Sequence, residues 1–226
     1  MNNNEKKSKK LNNNKVSKKK YIIKTTLMLV ALFLVVGTGL YFYGRMNRKK
    51  DEPINISKVE NTIEKYGYAI NDNASDYYKS EFEILKELAK NDDATEEDIV
   101  KQVAKLYVID LLSLQEKINK YEVTCSQYFY SDKRSMNTQK IIDNFYNLIQ
   151  DNAYNDRKQE LPSVKNVEIT NYDTDKYKMN DTTVNSYDVT LKVEYQKDLG
   201  YDKNVAVTLV KDGNNYSIVT YGPTKS

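Results

Sequence analysis

Between Thr25 and Tyr43 run 19 residues without a charge. As a helix at 1.5 Å per residue this run spans about 28 Å, close to the hydrocarbon thickness of a bilayer. Ten of the 19 are Leu, Val or Phe, each worth roughly −0.3 to −0.6 kcal/mol on insertion, and Lys24 at the margin can snorkel. Tyr21, Tyr41 and Tyr43 stand where interfacial aromatic residues belong. The run therefore predicts one transmembrane helix over residues 21–43. A cleavable signal peptide fits less well. The basic region ahead of the run is long, the apolar stretch exceeds the usual 7–15 residues or so, and the nearest small-residue site, Gly37-Thr38-Gly39, falls inside it.

Orientation follows from charge. Nine lysines precede the run, whereas Arg45, Arg48, Lys49 and Lys50 follow it and are answered by Asp51 and Glu52. The excess of basic residues on the N-terminal side predicts a cytoplasmic N-terminus and an extracytoplasmic domain at the cell membrane. Residues 1–20 are rich in Asn and Lys and nearly free of apolar side chains, so they read as a disordered basic tail. The tail serves as a topology signal, and anionic lipid head groups are a partner it suits. Residues 44–56 form a juxtamembrane linker around Pro53, and residues 57–226 form the external domain.

Residues 1–50 carry 13 Lys and Arg against one acid, while the remainder carries 22 against 31. An acidic domain lacks the basic face that phosphate binding needs, so nucleic-acid binding by the external domain is excluded. The chain has 20 Tyr but no His or Trp. Tyr, Asn, Lys and Ile together are what AT-rich codons supply, which points to a low-GC bacterial source rather than to an aromatic ligand surface. The lone Cys125 allows no internal disulfide. With no second thiol and no imidazole, a structural zinc site is also excluded.

Helical periodicity comes first in the domain. A helix is predicted from about Ser57, with Val59, Ile63 and Tyr66 on one face before Gly67 interrupts it. A second is predicted over Ser75–Lys90, where Tyr78, Phe82, Leu85 and Leu88 recur at helical spacing. Thr95 with Asp98 is a variant capping box, and acids fill the first turn as the helix dipole favours. The helix it opens is marked by Ile99, Val103, Leu106, Leu111, Leu114 and Ile118. Val100, Tyr107, Val108, Ile109 and Leu112 make it apolar nearly all round, which predicts a central, buried helix. Residues 121–136 stay ambiguous. A further helix is predicted from Thr138 to Ala153, with Ile141, Phe145, Leu148 and Asn152 as its stripe, widened by Ile142 and Ile149.

After Pro162 the period changes to 2. Val167 and Ile169 mark one strand. Tyr187, Val189, Leu191, Val193 and Tyr195 alternate with Asp188, Thr190, Lys192 and Glu194 in the next. Asp198-Leu-Gly200-Tyr makes a turn before a strand at Val205, Val207 and Leu209. Asp212-Gly213-Asn214-Asn215 makes a second hairpin turn before Tyr216, Ile218, Val219 and Tyr221. The fold class is α+β: several helices packed on a four-stranded antiparallel meander, cone-like, with one polar face.

The order of a basic tail, one span, several helices and a curved antiparallel sheet resembles the bitopic assembly components of type IV secretion and conjugation systems. Their external domain belongs to the nuclear-transport-factor-two-like superfamily. The segments Val103–Leu114, Asn155–Pro162 and Glu194–Tyr201 resemble those of a group of single-pass proteins of low-GC Gram-positive bacteria. The resemblance covers most of residues 95–221. It implies assembly with envelope proteins or with further copies of the chain, and it supplies no catalytic signature.

A direct search for chemistry finds little. Triads and most general-base schemes lean on His, which is absent. Asp110, inside the apolar helix, is either a desolvated acid with a raised pKa or an acid that is hydrogen-bonded or reaches solvent. Cys125 reads as a buried thiol. Asp173 with Asp175 and the acids from Asp92 to Asp98 lack the glycine and closing Glu of a calcium loop and read as solvated. The sequons at Asn55, Asn73, Asn180 and Asn215 carry no weight in a bacterial chain. No catalytic, cofactor-binding or metal-binding residue is assigned, and no cofactor is implied. The leading expectation is a membrane-anchored, non-enzymatic module that assembles with partners in the cell envelope. The alternatives are a small-ligand or sensory domain with an internal cavity, or an enzyme using carboxylates and tyrosines in that cavity. A filled interior favours the first, and a deep cavity with convergent polar groups favours the others.

Overall fold

A computed structural model describes residues 55–179 and 181–224, together with Thr38. The basic tail, the linker up to residue 54 and, apart from Thr38, the predicted span lie outside the described residues. Among the described residues no helix is long and apolar enough to cross a membrane. The chain divides into two compact units, Met1–Glu52 and Pro53–Ser226, and the elements that follow belong to the second.

The first element is not the predicted helix. Strands β1 (Val59–Ile63) and β2 (Tyr68–Asn71) pair antiparallel as a hairpin. A helix squeezed between Ser57 and Gly67 would fall short of the roughly 12–15 residues at which helices become self-supporting. The β-branched Val59, Thr62 and Ile63 also favour extended backbone. Gly67 adopts φ 67°, closes the loop, and lets Ile63 face Tyr68. The hairpin is fastened at its far side: the Gln127 amide accepts from Ala69 N–H (2.7 Å) and donates to Ala69 O (2.9 Å), standing in for a neighbouring strand.

Helix α1 (Asp76–Lys90) starts where Ser75 accepts from the Tyr78 N–H, and it buries Tyr78, Phe82 and Leu85. Helix α2 (Glu96–Leu112) carries the predicted Thr95–Asp98 capping box and is buried from Val100 to Leu112 on all but its Lys101 and Lys105 positions. It stops at Ser113, short of the predicted Ile118. Lys117 has to return to Asp110, and seven further helical residues would carry it about 10 Å along the axis instead. The reversal is held by Gln115 N–H bonded to Pro162 O (3.0 Å), while Leu114 and Ile118 remain buried.

Residues 121–136 resolve into two 3₁₀ turns, Thr124–Tyr128 and Ser131–Lys133, followed by helix α3 (Arg134–Lys140). The predicted helix from Thr138 to Ala153 thus begins earlier and ends earlier, in a π turn over Ile141–Phe145. The Tyr146 N–H reaches back five residues to Ile141 O (2.7 Å). One extra residue in the turn moves the inward face by one position. Tyr146 and Ile149 are buried, and Phe145 and Leu148, assigned to the stripe from helical spacing, are exposed.

The sheet is the predicted meander, β3 (Val164–Met179), β4 (Thr182–Tyr195), β5 (Asn204–Asp212) and β6 (Asn215–Pro223), all neighbours antiparallel in that order. Gly213 (φ 63°) sits first in the two-residue β5–β6 loop, as tight hairpins of this kind require. Tyr187, Val189, Leu191, Val193 and Tyr195 all face inward. α2 lies against this inner face. Its Tyr107 ring meets Phe129 and Tyr221 edge-on at 5.5 and 5.7 Å, and its first-turn Glu96 accepts from the Tyr216 hydroxyl (2.7 Å). β5 pairs with β4 only from Ser186 to Lys192, so beyond Ser186 the β3–β4 hairpin continues as a two-stranded ribbon.

Candidate functional site

The most deeply buried ion pair among the described residues centres on Asp110, 2% exposed on the last turn of α2. The chain reversal after Leu112 brings back Lys117, 5% exposed, and its Nζ ion-pairs with Asp110 Oδ1. The first 3₁₀ turn supplies Thr124, whose hydroxyl accepts from Lys117 Nζ and donates to Asp110 Oδ1, both at 2.7 Å. α1 supplies Tyr78, which donates to Asp110 Oδ2 (3.2 Å). Tyr78 having spent its proton there, the Tyr128 hydroxyl is the donor of the 2.9 Å bond between the two phenols. Tyr146 donates to Leu111 O (3.0 Å) just behind the acid. Counting α2, which carries it, four segments thus meet at one carboxylate.

Burial acts to lower the Lys117 pKa, but the Asp110 carboxylate outweighs it, and the ammonium is held above its ordinary 10.5. Burial pushes the Tyr78, Tyr128 and Tyr146 phenols well above 10.0, with Asp110 adding to the effect. Burial, again reinforced by Asp110, raises the Cys125 thiol, which is 0% exposed. A thiol that stays protonated and unreachable is not a nucleophile. At neutral pH the cluster is one charged pair surrounded by neutral donors, with both carboxylate oxygens occupied.

A narrow cleft reaches this cluster past Asn73, Glu116 and Thr124, with a volume of about 20 Å³. That holds a water or two, against the few hundred Å³ of small-molecule sites. Glu116 lies at its wall. Burial raises its pKa, and its Oε2 is buried without a hydrogen bond. Larger hollows are open depressions: about 300 Å³ on the outer sheet face beside Glu168, Lys192 and Glu194, and about 490 Å³ along α1 beside Ile84 and Leu88.

The acids singled out in the sequence do not converge. Asp173 and Asp175 are exposed on β3, facing Asp188 and Ser186 across the pair. Asp92 and Asp93 are exposed, and Asp98 closes the capping box, where the Thr95 hydroxyl lowers its pKa. Among the described residues no group of three or more His, Cys, Asp or Glu is placed to hold a metal ion. The sequon amides of Asn55, Asn73 and Asn215 are all engaged in hydrogen bonds. Asp110 was legible as a buried acid, whereas Lys117, Thr124, Tyr78 and Tyr128 were not legible as its partners. The one signal was the seven-residue interval from Asp110 to Lys117, which puts both on one side of a helix. Their contact forms through the reversal instead. Comparison with family models, with curated proteins and with solved structures returned no match for this chain.

Proposed function

We propose that the chain is a membrane-anchored module that assembles with other envelope proteins, or with further copies of itself, rather than an enzyme or a small-molecule receptor. The observation that carries this reading is the filled interior. α2 and the aromatic side chains of Tyr107, Phe129 and Tyr221 occupy the inner face of the sheet. The cleft to the buried acid is of about 20 Å³. Asp110, the buried acid a catalytic alternative would use, is ion-paired with Lys117 and accepts hydrogen bonds from Thr124 and Tyr78. A tether in the plane of the membrane raises the effective concentration of co-resident partners, so individually weak surface contacts suffice. The layout's resemblance to bitopic secretion and conjugation components is in keeping with this and names the class of complex to test.

The experiment is crosslinking in intact cells, mild detergent extraction and identification of what co-purifies. Discrete crosslinked species containing membrane-resident partners or a homo-oligomer are expected. Recovery of an uncrosslinked monomer, together with turnover of an envelope substrate abolished by Asp110→Asn, would replace this reading with the enzymatic one.

A further inference from the structure

Five large apolar or aromatic side chains are exposed around the point where the chain joins the domain: Ile56 (66%), Tyr121 (68%), Phe145 (36%), Leu148 (78%) and Tyr154 (47%). One exposed leucine is ordinary, but such side chains gathered on one region mark an interaction surface. The three segments that carry them are stitched together. Asn55 N–H bonds to Ala153 O (2.6 Å) and Asn152 N–H to Ile118 O (2.8 Å). The Asn55 amide donates to Asn155 Oδ1 (3.1 Å), and Arg157 donates to Lys117 O (2.8 Å) and Gln150 O (3.3 Å). These bonds hold the three segments, and the exposed side chains they carry, next to one another.

We infer that this face rests on the lipid surface, its Leu, Ile and Phe entering the interfacial layer and its tyrosines lying at the head groups. The inference depends on the membrane-anchored reading. Residues 44–54 lie between the apolar run and Asn55, which is twelve residue steps from Tyr43. Twelve residues reach at most about 40 Å when fully stretched, and as a relaxed coil about 20 Å. A domain of this size has a radius of about 20 Å. The relaxed tether thus brings the side where the chain joins to the bilayer, while the opposite side would need a nearly taut one. The residue types fit as well, since Tyr and Phe favour the interface and Leu and Ile the acyl boundary beneath it. Lys120, over the Tyr121 ring at 5.1 Å, places an ammonium at head-group level.

The chain contains no Trp, so Leu148→Trp introduces a single reporter at a position already exposed. The full chain is reconstituted into phosphatidylcholine vesicles with and without brominated acyl chains. Ile84→Trp, on the exposed side of α1 (Ile84 is 47% exposed), is the comparison. Blue-shifted emission quenched by the brominated lipid is expected for Leu148→Trp, with water-like, unquenched emission for Ile84→Trp. A further Leu148→Trp, Ile56→Glu variant is expected to lose the quenching. Water-like emission at position 148, or equal quenching at both positions, overturns the docking face. Alkaline carbonate washing reports separately whether the chain spans the bilayer. A chain that resists it yet shows no quenching at 148 keeps its anchor and loses this face, and a chain released by it loses the anchor.

Discussion

Lys117→Met would leave the Asp110 carboxylate buried with hydroxyl partners alone. Stripping a buried charge of its counter-ion costs about 3–5 kcal/mol, whereas replacing both partners by apolar groups of similar volume costs far less. Lys117→Met is therefore expected to lower strongly the urea midpoint of the fragment from residue 57 onward. Adding Asp110→Leu should recover most of the loss, and no recovery in the double variant would show that the pair is not acting as a unit. The same pair sets an alkaline limit. The folded Lys117 pKa lies above the ordinary 10.5, so its contribution is fully present below that value and is lost as pH rises through the folded one. Tyr78 and Tyr128, raised above 10.0, act in the same direction. The urea midpoint should hold from neutral pH to about 10 and then decline. A level profile across the alkaline range, or a rising one, would contradict the buried placement of these groups. Tyr107 is the opposite case: its hydroxyl is buried with no hydrogen-bond partner among the described residues. Tyr107→Phe keeps the ring contacts and removes an unsatisfied group, so a gain of up to about 1 kcal/mol is expected. A loss of that size instead would mean the hydroxyl is bonded after all.

At the scale of elements, α2 is the piece whose truncation is felt most. Leu106 is 0% and Leu111 5% exposed, and either change to Ala in the domain should cost roughly 2–5 kcal/mol, as buried leucine truncations do. A loss under about 1 kcal/mol, well below that range, would place the residue at the surface. This helix and the meander were legible because burial and periodicity agree. α2 is apolar on every side and so has to be central, and β4 alternates residue by residue, which only a half-buried strand does. The elements that were misread are those in which a single residue changes the geometry. Gly67 converts an apparent helix stop into a hairpin loop. The π turn at Ile141–Phe145 shifts the inward stripe from Phe145 and Leu148 to Tyr146 and Ile149. Lys117 ends α2 by folding back onto Asp110. Periodicity registers none of the three, because each turns on one residue's backbone conformation or hydrogen bond rather than on the spacing of apolar residues.

For the whole molecule, protease added to intact protoplasts should digest residues beyond about 50 and spare the basic tail, since the excess of lysines precedes the apolar run. Cleavage of the tail with the domain protected would reverse the orientation. The interior of the candidate site was legible only as one suspicious acid. Its closure by four segments is a property of the assembled domain, and so is the small cleft beside it. Three segments singled out in the sequence are architectural: Val103–Leu114 on α2, Asn155–Pro162, where Asn155 takes φ 55° and Arg157 ties down carbonyls, and Glu194–Tyr201 with the turn at Gly200. The join at Asn55 also has a mechanical side. Tension arriving from the N-terminal side of the domain meets the bond from Asn55 to Ala153 and the one to Asn155 before it meets a strand of the large sheet. Behind these stands an irregular loop fastened largely through one guanidinium. Segments with few buried contacts open at lower free energy than core strands. If the chain is anchored as proposed, a pull on it therefore parts the Asn55 bonds to this loop before it loads the sheet or α2.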